Sequence, residues 1–168
     1  MVQHSRRRLL TAASTLAVSS LLAGCGFRLR GPQPLAFATI YLGTSQNSGL
    51  GAQLARHIRA TGSTEVVADP AQAEVSLQIL RDGVSREILS LTGAGKVREY
   101  QLTRDFVFQL VGRDGALLVP PTQLTAQRDY TFQDERILAK EQEESLLLAD
   151  MQNEIVRQLV RRLAAVRK

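Results

Sequence analysis

The sequence predicts an α+β fold, a two-layer sandwich in which two helices pack on one mixed sheet of four to five strands. Three observations lead to this prediction. The chain shows a strand, a helix and a strand in turn, then three long alternating segments, and finally a long amphipathic helix. A strand–helix–strand unit favours a parallel pair, whereas long segments joined by short turns favour antiparallel pairs. Together these patterns predict a mixed sheet.

The strand–helix–strand unit comes first. Residues 37–42 are apolar, aromatic and β-branched enough for a strand, and residues 65–68 predict a second, shorter one. Between them Ser48 is a suitable N-cap, and Gly62 is a suitable helix end. The helical apolar positions are Leu50, Leu54 and Ile58.

Three longer strands follow this unit. The first spans residues 75–91 and is followed by the flexible turn Gly93-Ala94-Gly95. Asp114-Gly115 predicts a two-residue hairpin turn between the second strand and the third, which runs over residues 117–132. The apolar face of the second strand consists of Tyr100, Leu102, Phe106, Phe108 and Leu110.

The predicted hairpin register requires one extra residue. A regular register from Asp114-Gly115 places Phe106 opposite the polar Gln123. An extra residue at Pro120-Pro121 places Phe106 opposite Leu124 instead, and proline within a strand is typical of an edge or a bulge. The sequence therefore predicts a bulge at the two prolines. The predicted pairs are Arg113 with Ala116, Leu110 with Val119, Phe106 with Leu124 and Tyr100 with Tyr130.

Two arginines fall on the apolar face in this register. Arg104 and Arg128 share that face with Phe106 and its neighbours. Either buried ion pairs or a position at the rim would accommodate them, and the pattern does not choose between the two.

A helical pattern begins at about Asp134. Apolar residues recur at spacings of three and four, which predicts a wide stripe that packs on the sheet. The residues of the stripe are Leu148, Met151, Ile155, Leu159, Leu163 and Val166, with Val156 and Val160 beside them. Basic residues crowd the end of the helix, where cations complement its dipole.

The first 24 residues predict a secretory signal that is removed. Arg6–Arg8 give a basic start, Leu9–Leu22 form a charge-free apolar run, and the small residues Ala23 and Gly24 precede Cys25. The apolar run is short for a helix that crosses ~30 Å of hydrocarbon, so a retained membrane anchor is the less favoured alternative. The arginines leave both the general and the twin-arginine export routes open.

Cys25, the only cysteine of the chain, is a predicted lipidation site. The segment Leu22-Ala23-Gly24-Cys25 resembles the bacterial lipobox, which implies that the thiol takes a diacylglycerol and that the new N-terminus is acylated. Two or three acyl chains anchor a protein firmly, whereas one chain does so only marginally. Gly26 rather than Asp favours the outer membrane by resemblance to the sorting rule of Gram-negative lipoproteins. We expect a lipidated linker over residues 25–34 and a single domain over residues 35–168.

The mature chain offers little for catalysis or for binding nucleic acid. The net charge of +5 falls to +2, with 18 basic against 16 acidic residues, because three arginines and no acids leave with the signal. His57 is then the only histidine and lies in a surface helix pattern. The chain has no pattern typical of a zinc site, a serine hydrolase or a phosphate-binding loop. We expect no enzyme activity, no cofactor and no metal.

Several segments resemble the lipopolysaccharide-assembly lipoprotein family, LptE. They lie in the family's order along nearly the whole mature chain. The segments are Cys25–Gly31, Arg98–Leu102, Arg128–Tyr130, Ile137–Glu144 and Gln158–Leu163. The resemblance implies an outer-membrane lipoprotein that plugs the lumen of the β-barrel LptD. It also implies that the pair places lipopolysaccharide in the outer leaflet, and that the lipoprotein binds lipopolysaccharide itself.

Three basic residues are candidate contacts for the phosphates of lipopolysaccharide. Lys96 and Arg98 flank a glycine-rich turn, and Lys140 lies early in a helix, where a cation opposes the helix dipole. The competing interpretation of Lys140 is an ion pair with Glu144, four residues on. For the whole chain the alternative function is a lipid-anchored periplasmic scaffold or apolar-ligand-binding module unrelated to lipopolysaccharide.

Overall fold

One five-stranded mixed sheet carries two helices, which contact each other and share one apolar core. The computed structural model describes residues 33–132 and 137–167, without the side chain of Ile137. These residues belong to one compact unit, Pro32–Lys168. The predicted signal, Cys25 and residues 25–32 of the predicted linker lie outside the described residues.

The predicted mixed sheet is confirmed. Its strands are β1 Thr39–Tyr41, β2 Glu65–Val67, β3 Val75–Leu91, β4 Val97–Gly112 and β5 Leu117–Thr131. They lie in the order β2-β1-β3-β4-β5. Strand β1 is parallel to both β2 and β3, whereas β3, β4 and β5 are antiparallel.

The two predicted helices are also present. Helix α1 spans Gly49–Arg59 and begins as predicted at Ser48, whose hydroxyl oxygen accepts a hydrogen bond from the Gly51 amide at 3.0 Å. Helix α2 spans Ile137–Ala164, and a short 3₁₀ helix, Pro70–Gln72, precedes β3. The predicted stripe of α2 lies in the core, with Met151, Ile155 and Leu159 fully buried.

The sheet is wide at one end and narrow at the other. Strand β1 pairs with β3 only at Val75 and Ser76. Just beyond, the chain at Gly43 passes so close to β3 that a Cβ atom there would lie 2.3 Å from the Leu77 carbonyl oxygen. We name the five-stranded end with the β4–β5 turn the proximal end, and the three-stranded end with the β3–β4 turn the distal end.

The hairpin register is partly as predicted. Phe106 lies opposite Leu124 and Phe108 opposite Thr122, whereas Leu110 lies opposite Val119, so the extra residue lies at Pro120-Pro121. The predicted bulge is therefore confirmed. Tyr100 pairs with Tyr130 and Leu110 with Val119, also as predicted.

The predicted two-residue turn at Asp114-Gly115 is wrong by one residue. The Gly112 amide donates to the Ala116 carbonyl at 2.8 Å, so Arg113 does not face Ala116 and the loop has three residues. A two-residue type I′ turn needs positive φ at both central residues, but only Gly115, at φ 82°, has it. Asp114 instead accepts a hydrogen bond from the Ala116 amide through its side chain.

The two arginines of the apolar face form ion pairs with different exposure. Arg104 donates through Nε and Nη2 to both carboxylate oxygens of Asp82, at 2.9 and 2.8 Å, and 11% of its side chain is exposed. Arg128 pairs with Asp150 at 2.5 Å, with 33% of its side chain exposed. In the first pair the arginine is nearly buried and 27% of the Asp82 side chain is exposed, whereas the second pair lies at the rim.

Candidate functional site

The distal end begins with the turn between β3 and β4. The Thr92 amide donates to the Lys96 carbonyl at 2.7 Å, and the Gly95 amide donates to the Thr92 carbonyl at 2.9 Å. Gly95 has φ 77°, a conformation that glycine adopts without strain. Lys96 and Arg98 are exposed beside this turn, so both cations can reach a ligand in solution.

Lys140 lies at the same end of the molecule but is more enclosed. Its ammonium nitrogen donates to Glu143 at 2.6 Å and to the Thr131 hydroxyl at 3.3 Å, and 14% of its side chain is exposed. The interpretation of Lys140 as a partner of Glu144 is wrong. Lys140 forms its ion pair with Glu143, three residues on rather than four.

Two contacts join the start of β4 to the end of β5. The Phe132 amide donates to the Arg98 carbonyl at 2.9 Å, and Thr131 pairs with Glu99, the next residue of β4. Because Lys140 of α2 donates to the side chain of Thr131 at the end of β5, and Arg98 lies at the start of β4 beside it, both cations lie at the same end of the sheet. The structure therefore brings the three predicted cations to the distal end, with Lys96 farthest out in the turn.

Glu144 is unavailable to Lys140 because it has other partners. Tyr130 donates its hydroxyl hydrogen to Glu144 at 2.6 Å, and Arg86 approaches the same carboxylate oxygen at 3.3 Å. Burial of the phenol, followed by its hydrogen bond to Glu144, raises the pKa of Tyr130 to about 12. Tyr130 therefore keeps its proton at neutral pH and ties β5 to α2.

Arg86 is a fourth cation at this end, and the sequence analysis did not identify it. Its guanidinium carbon lies 4.9 Å from the centre of the Tyr100 ring, which stacks on Tyr130 at 5.7 Å and meets Phe132 edge-on at 5.5 Å. About half of the Arg86 side chain is exposed. One feature of the sequence could have indicated this contact. Tyr100 was predicted to pair with Tyr130 on one side of β4, and the strand on the other side of β4 contains Arg86.

The face of the sheet away from the helices is polar. Gln101 donates to Asp129 at 3.0 Å, and Asp105 accepts hydrogen bonds from Gln123 and Thr125 at 2.8 and 2.9 Å. These two hydrogen bonds lower the pKa of Asp105. The side chains of this face are therefore charged or hydrogen-bonded and accessible to solvent. Such a face suits a polar environment rather than an apolar partner.

The described residues contain no arrangement typical of a catalytic or metal site. Within residues 33–132 and 137–167 no three His, Cys, Asp or Glu side chains are grouped so that they could hold a metal ion. His57 is exposed on α1, as expected, and its Nδ1 lies 3.0 Å from the Gln53 carbonyl oxygen. Over the same part of the chain, no helix has both the length and the apolarity needed to span a membrane.

Comparison with known proteins identifies the family. The sequence model described as "LptE: Lipopolysaccharide-assembly" matches residues 37–163, which include every strand and most of α2. The chain belongs to the LptE lipopolysaccharide-assembly family. The resemblance seen in the sequence is thereby confirmed.

Individual LptE relatives and similar structures agree with this assignment. The LPS-assembly lipoprotein LptE of Pectobacterium atrosepticum is 30% identical, over 96% of this chain and 88% of the relative. The solution structure of lipoprotein B from Nitrosomonas europaea is similar with a TM-score of 0.70 and 31% identity, over 83% of this chain and 91% of that one. A minor lipoprotein of Acinetobacter baumannii gives a TM-score of 0.64 at 26% identity, over 79% of this chain and 94% of that one.

LptE membership also decides between the function classes. The family is one of lipoproteins for lipopolysaccharide assembly, so the prediction of a non-enzymatic role without a cofactor is confirmed. The protein therefore has a role in lipopolysaccharide assembly. The alternative of a scaffold or apolar-ligand-binding module unrelated to lipopolysaccharide is not favoured.

Proposed function

We propose that this protein is an outer-membrane lipoprotein, anchored through acylated Cys25, that occupies the lumen of an LptD-type β-barrel as a plug. In this position it assists the transfer of lipopolysaccharide to the outer leaflet. Lys96, Arg98 and Lys140 contact phosphates of lipopolysaccharide at the distal end. The chain is processed as a signal over residues 1–24, a lipidated linker over residues 25–34 and the domain over residues 35–168.

The polar face of the sheet supports the plug. The lumen of a wide outer-membrane barrel is polar, and the hydrogen-bonded side chains Gln101, Asp105 and Asp129 present a matching surface. The sheet is also rigid, because β3, β4 and β5 pair over nearly their full lengths. A rigid domain with a polar face suits a water-filled lumen.

The observation that carries the lipopolysaccharide contact is the shared location of Arg98 and Lys140. They belong to different elements, β4 and α2, yet the Phe132–Arg98 and Lys140–Thr131 hydrogen bonds bring them to one end of the sheet. Phosphate recognition requires several cations held close together. Glu143 holds Lys140 in place at 2.6 Å, and a phosphate group would compete for the same ammonium.

The first experiment measures binding of purified lipopolysaccharide to the variant Lys96→Glu with Lys140→Glu. We expect weaker binding, with a larger loss at low salt than at high salt because screening weakens exposed charges. Association with the barrel stays unchanged, and the loss of the Lys140–Glu143 ion pair lowers the melting temperature only slightly. The matched control, Arg56→Glu with Arg167→Glu, reverses the charge of two exposed residues elsewhere on the domain. We expect it to keep the affinity of the wild type.

A second variant separates binding from the ion pair. Glu143→Gln removes the partner of Lys140 but leaves the ammonium in place. If Lys140 serves lipopolysaccharide, Glu143→Gln binds at least as well as the wild type because the competing carboxylate is gone, whereas Lys140→Gln binds less. If Lys140 serves only the ion pair, both variants lose stability alike and neither changes binding, which would contradict the proposed contact.

The anchor is tested by the intact mass of protein extracted from membranes. We expect a chain that begins at Cys25 and carries the added mass of its acyl groups. A chain that retains Met1, or a free thiol at Cys25, would contradict the anchor. Cys25→Ala is expected to abolish acylation and membrane attachment while the domain keeps its melting temperature, since the core begins at Leu35.

The barrel partner is tested by extraction in a mild detergent. We expect one complex that contains this protein and an outer-membrane barrel and that survives changes of salt, because the contact is extensive and only partly electrostatic. A protein that migrates alone at every detergent and salt concentration would contradict the plug.

A further inference from the structure

Strand β3 has an edge that no described strand covers beyond the proximal end. Its pairing with β1 stops at Ser76, and the close approach of Gly43 covers the edge only as far as Gln78. Over Ile79–Leu91 only one side of β3 is paired, with β4. Uncovered edges present free backbone donors and acceptors to any other extended chain.

This edge is also the most apolar exposed part of the described chain. Five of the nine exposed large hydrophobic side chains lie on β3, so they are concentrated at one edge rather than scattered. They are Leu80, Val84, Ile88, Leu89 and Leu91, each about half exposed.

The opposite edge of the sheet is protected differently. Strand β5 contains the exposed residues Pro120 and Pro121 and a bulge beside them, and proline cannot donate to a further strand. Strand β3 has no proline. Its register shifts against β4 fall near Leu80 and Leu89 and leave the stretch Arg81–Ile88 regular between them. The β3 edge therefore keeps a regular segment that can accept a partner.

The sequence of this segment is nearly symmetric about Val84. If a second β3 lies antiparallel with Val84 opposite Val84, each apolar residue faces an apolar one and each charge faces the opposite charge. The pairs are Leu80 with Ile88, Arg81 with Glu87, Asp82 with Arg86 and Gly83 with Ser85. Directly opposite side chains of opposite charge stabilise an antiparallel pair, and like charges destabilise it.

We propose that two copies of this chain associate through their β3 edges, antiparallel and centred on Val84. The occupant of the edge is thus a second copy, chosen by the charge complementarity of the segment with itself. The two-fold axis runs through the Val84 pair, perpendicular to the sheet, and the interface is the same patch on both copies. This self-association concerns copies that are not inserted in a barrel, so it goes beyond the proposed role in lipopolysaccharide assembly and does not rest on it.

The geometry of the two sheets agrees with this arrangement. A two-fold axis perpendicular to a sheet leaves its faces unchanged, so Asp82 and Arg86 meet on the helix side, and Arg81 and Glu87 meet on the polar side. The three antiparallel strands of each copy then form one six-stranded sheet with both α2 helices on the same side. Gly43 limits the pairing at either end to about Ile79 opposite Leu89.

The test measures self-association of the full chain, purified away from any barrel, in mild detergent by sedimentation over a range of concentrations. Arg81 and Glu87 are the residues to change, because Asp82 and Arg86 also bind Arg104 and Glu144 within the chain. Glu87→Arg places like charges together twice per dimer and is expected to raise the dissociation constant about tenfold. Arg81→Glu does the same, and the exchanged variant with both changes restores the wild-type constant.

The control is Glu65→Arg, the same charge reversal on the outer strand β2, and it leaves the dissociation constant unchanged. A chain that stays monomeric at every concentration would overturn the proposal. So would a dimer that ignores both single reversals, or an exchanged variant that does not recover.

Disulfide trapping gives an independent measurement of the register. Val84→Cys places two thiols across the axis at the separation of directly opposite residues, which a disulfide can span, whereas Ser85→Cys places them on a longer diagonal. Both variants retain Cys25, so any background is shared. We expect a disulfide-linked dimer for Val84→Cys and little for Ser85→Cys, and equal yields would overturn the proposed register.

Discussion

The proximal and distal ends of the sheet differ in how they are held together. At the proximal end five strands and both helices enclose side chains such as Phe108, Leu110 and Ile40, which are fully buried. At the distal end three strands continue, and α2 is held to them both by buried side chains such as Leu102 and by polar contacts, the Tyr130–Glu144 hydrogen bond and the Arg86–Glu144 ion pair. Most of the fully buried apolar side chains lie towards the proximal end, whereas the distal end combines a smaller apolar part with exposed charges.

This difference explains why the candidate contacts collect where they do. A cation near a ligand must remain accessible and must be held by polar groups, as Glu143 and Thr131 hold Lys140. At the five-stranded end the side chains between the sheet and the helices are mostly apolar and buried. We therefore expect substitutions at the proximal end to change stability and substitutions at the distal end to change binding.

The largest expected contrast is between two phenylalanines. Phe108→Ala removes a fully buried ring at the proximal end and should lower the free energy of unfolding by about 3–5 kcal/mol. Phe132→Ala removes a half-buried ring that meets Tyr100 edge-on at the distal end and should cost about 1–2 kcal/mol. Denaturant unfolding measures both, and equal losses would contradict the contrast between the two ends.

The two turns give the next comparison. Gly115 and Gly95 both have positive φ, with open space where a side chain would go, so the strain of a substitution is that of the backbone alone. Gly115→Val at the proximal turn should destabilise the protein by about 1–2 kcal/mol. Gly95→Val should cost less, because the distal turn can open locally while the core stays folded. An unchanged melting curve for Gly115→Val would contradict the assigned turn.

The two arginine ion pairs sharpen the effect of burial. Arg104→Ala leaves Asp82 without its nearly buried partner and should cost about 1–3 kcal/mol. Arg128→Ala breaks a rim pair that is half exposed at Asp150 and should cost less than about 1 kcal/mol. Thermal unfolding of the two variants checks the order. A larger loss of stability for Arg128→Ala than for Arg104→Ala would contradict the proposed effect of burial.

The smallest expected effect is a pH dependence of the distal end. The pKa of Tyr130 is raised in the folded protein to about 12, from about 10 in an unfolded chain. The folded state therefore holds the proton more tightly, and this contribution to stability is present below pH 10 and lost as pH rises towards 12. Tyr130→Phe should show a shallower loss of melting temperature over this range than the wild type, and identical slopes would contradict the coupling.

Patterns local in the sequence predicted most of the fold. Ser48 and the spacing of Leu54 and Ile58 located α1, and the apolar stripe located α2. The bulge at Pro120-Pro121 could be placed because only one register set Phe106 against an apolar residue. The length of the turn could not, since whether Asp114 adopts positive φ depends on its own side-chain hydrogen bond rather than on residue type.

The candidate site was predictable only in part. Lys96 and Arg98 were visible because they flank a turn, and Lys140 because it opposes the dipole of its helix. The choice of Glu143 over Glu144 depended on Tyr130, which reaches α2 from another strand. Arg86 was missed because its contact with Tyr100 and Glu144 joins residues distant in the sequence.

Hydrogen exchange with and without purified lipopolysaccharide tests most directly whether binding belongs to the distal end and stability to the proximal end. We predict that lipopolysaccharide slows exchange in residues 92–98 and 137–144 and leaves the already protected strands around Phe108 unchanged. Slower exchange confined to the proximal end, or no change anywhere while binding is saturated, would contradict the account.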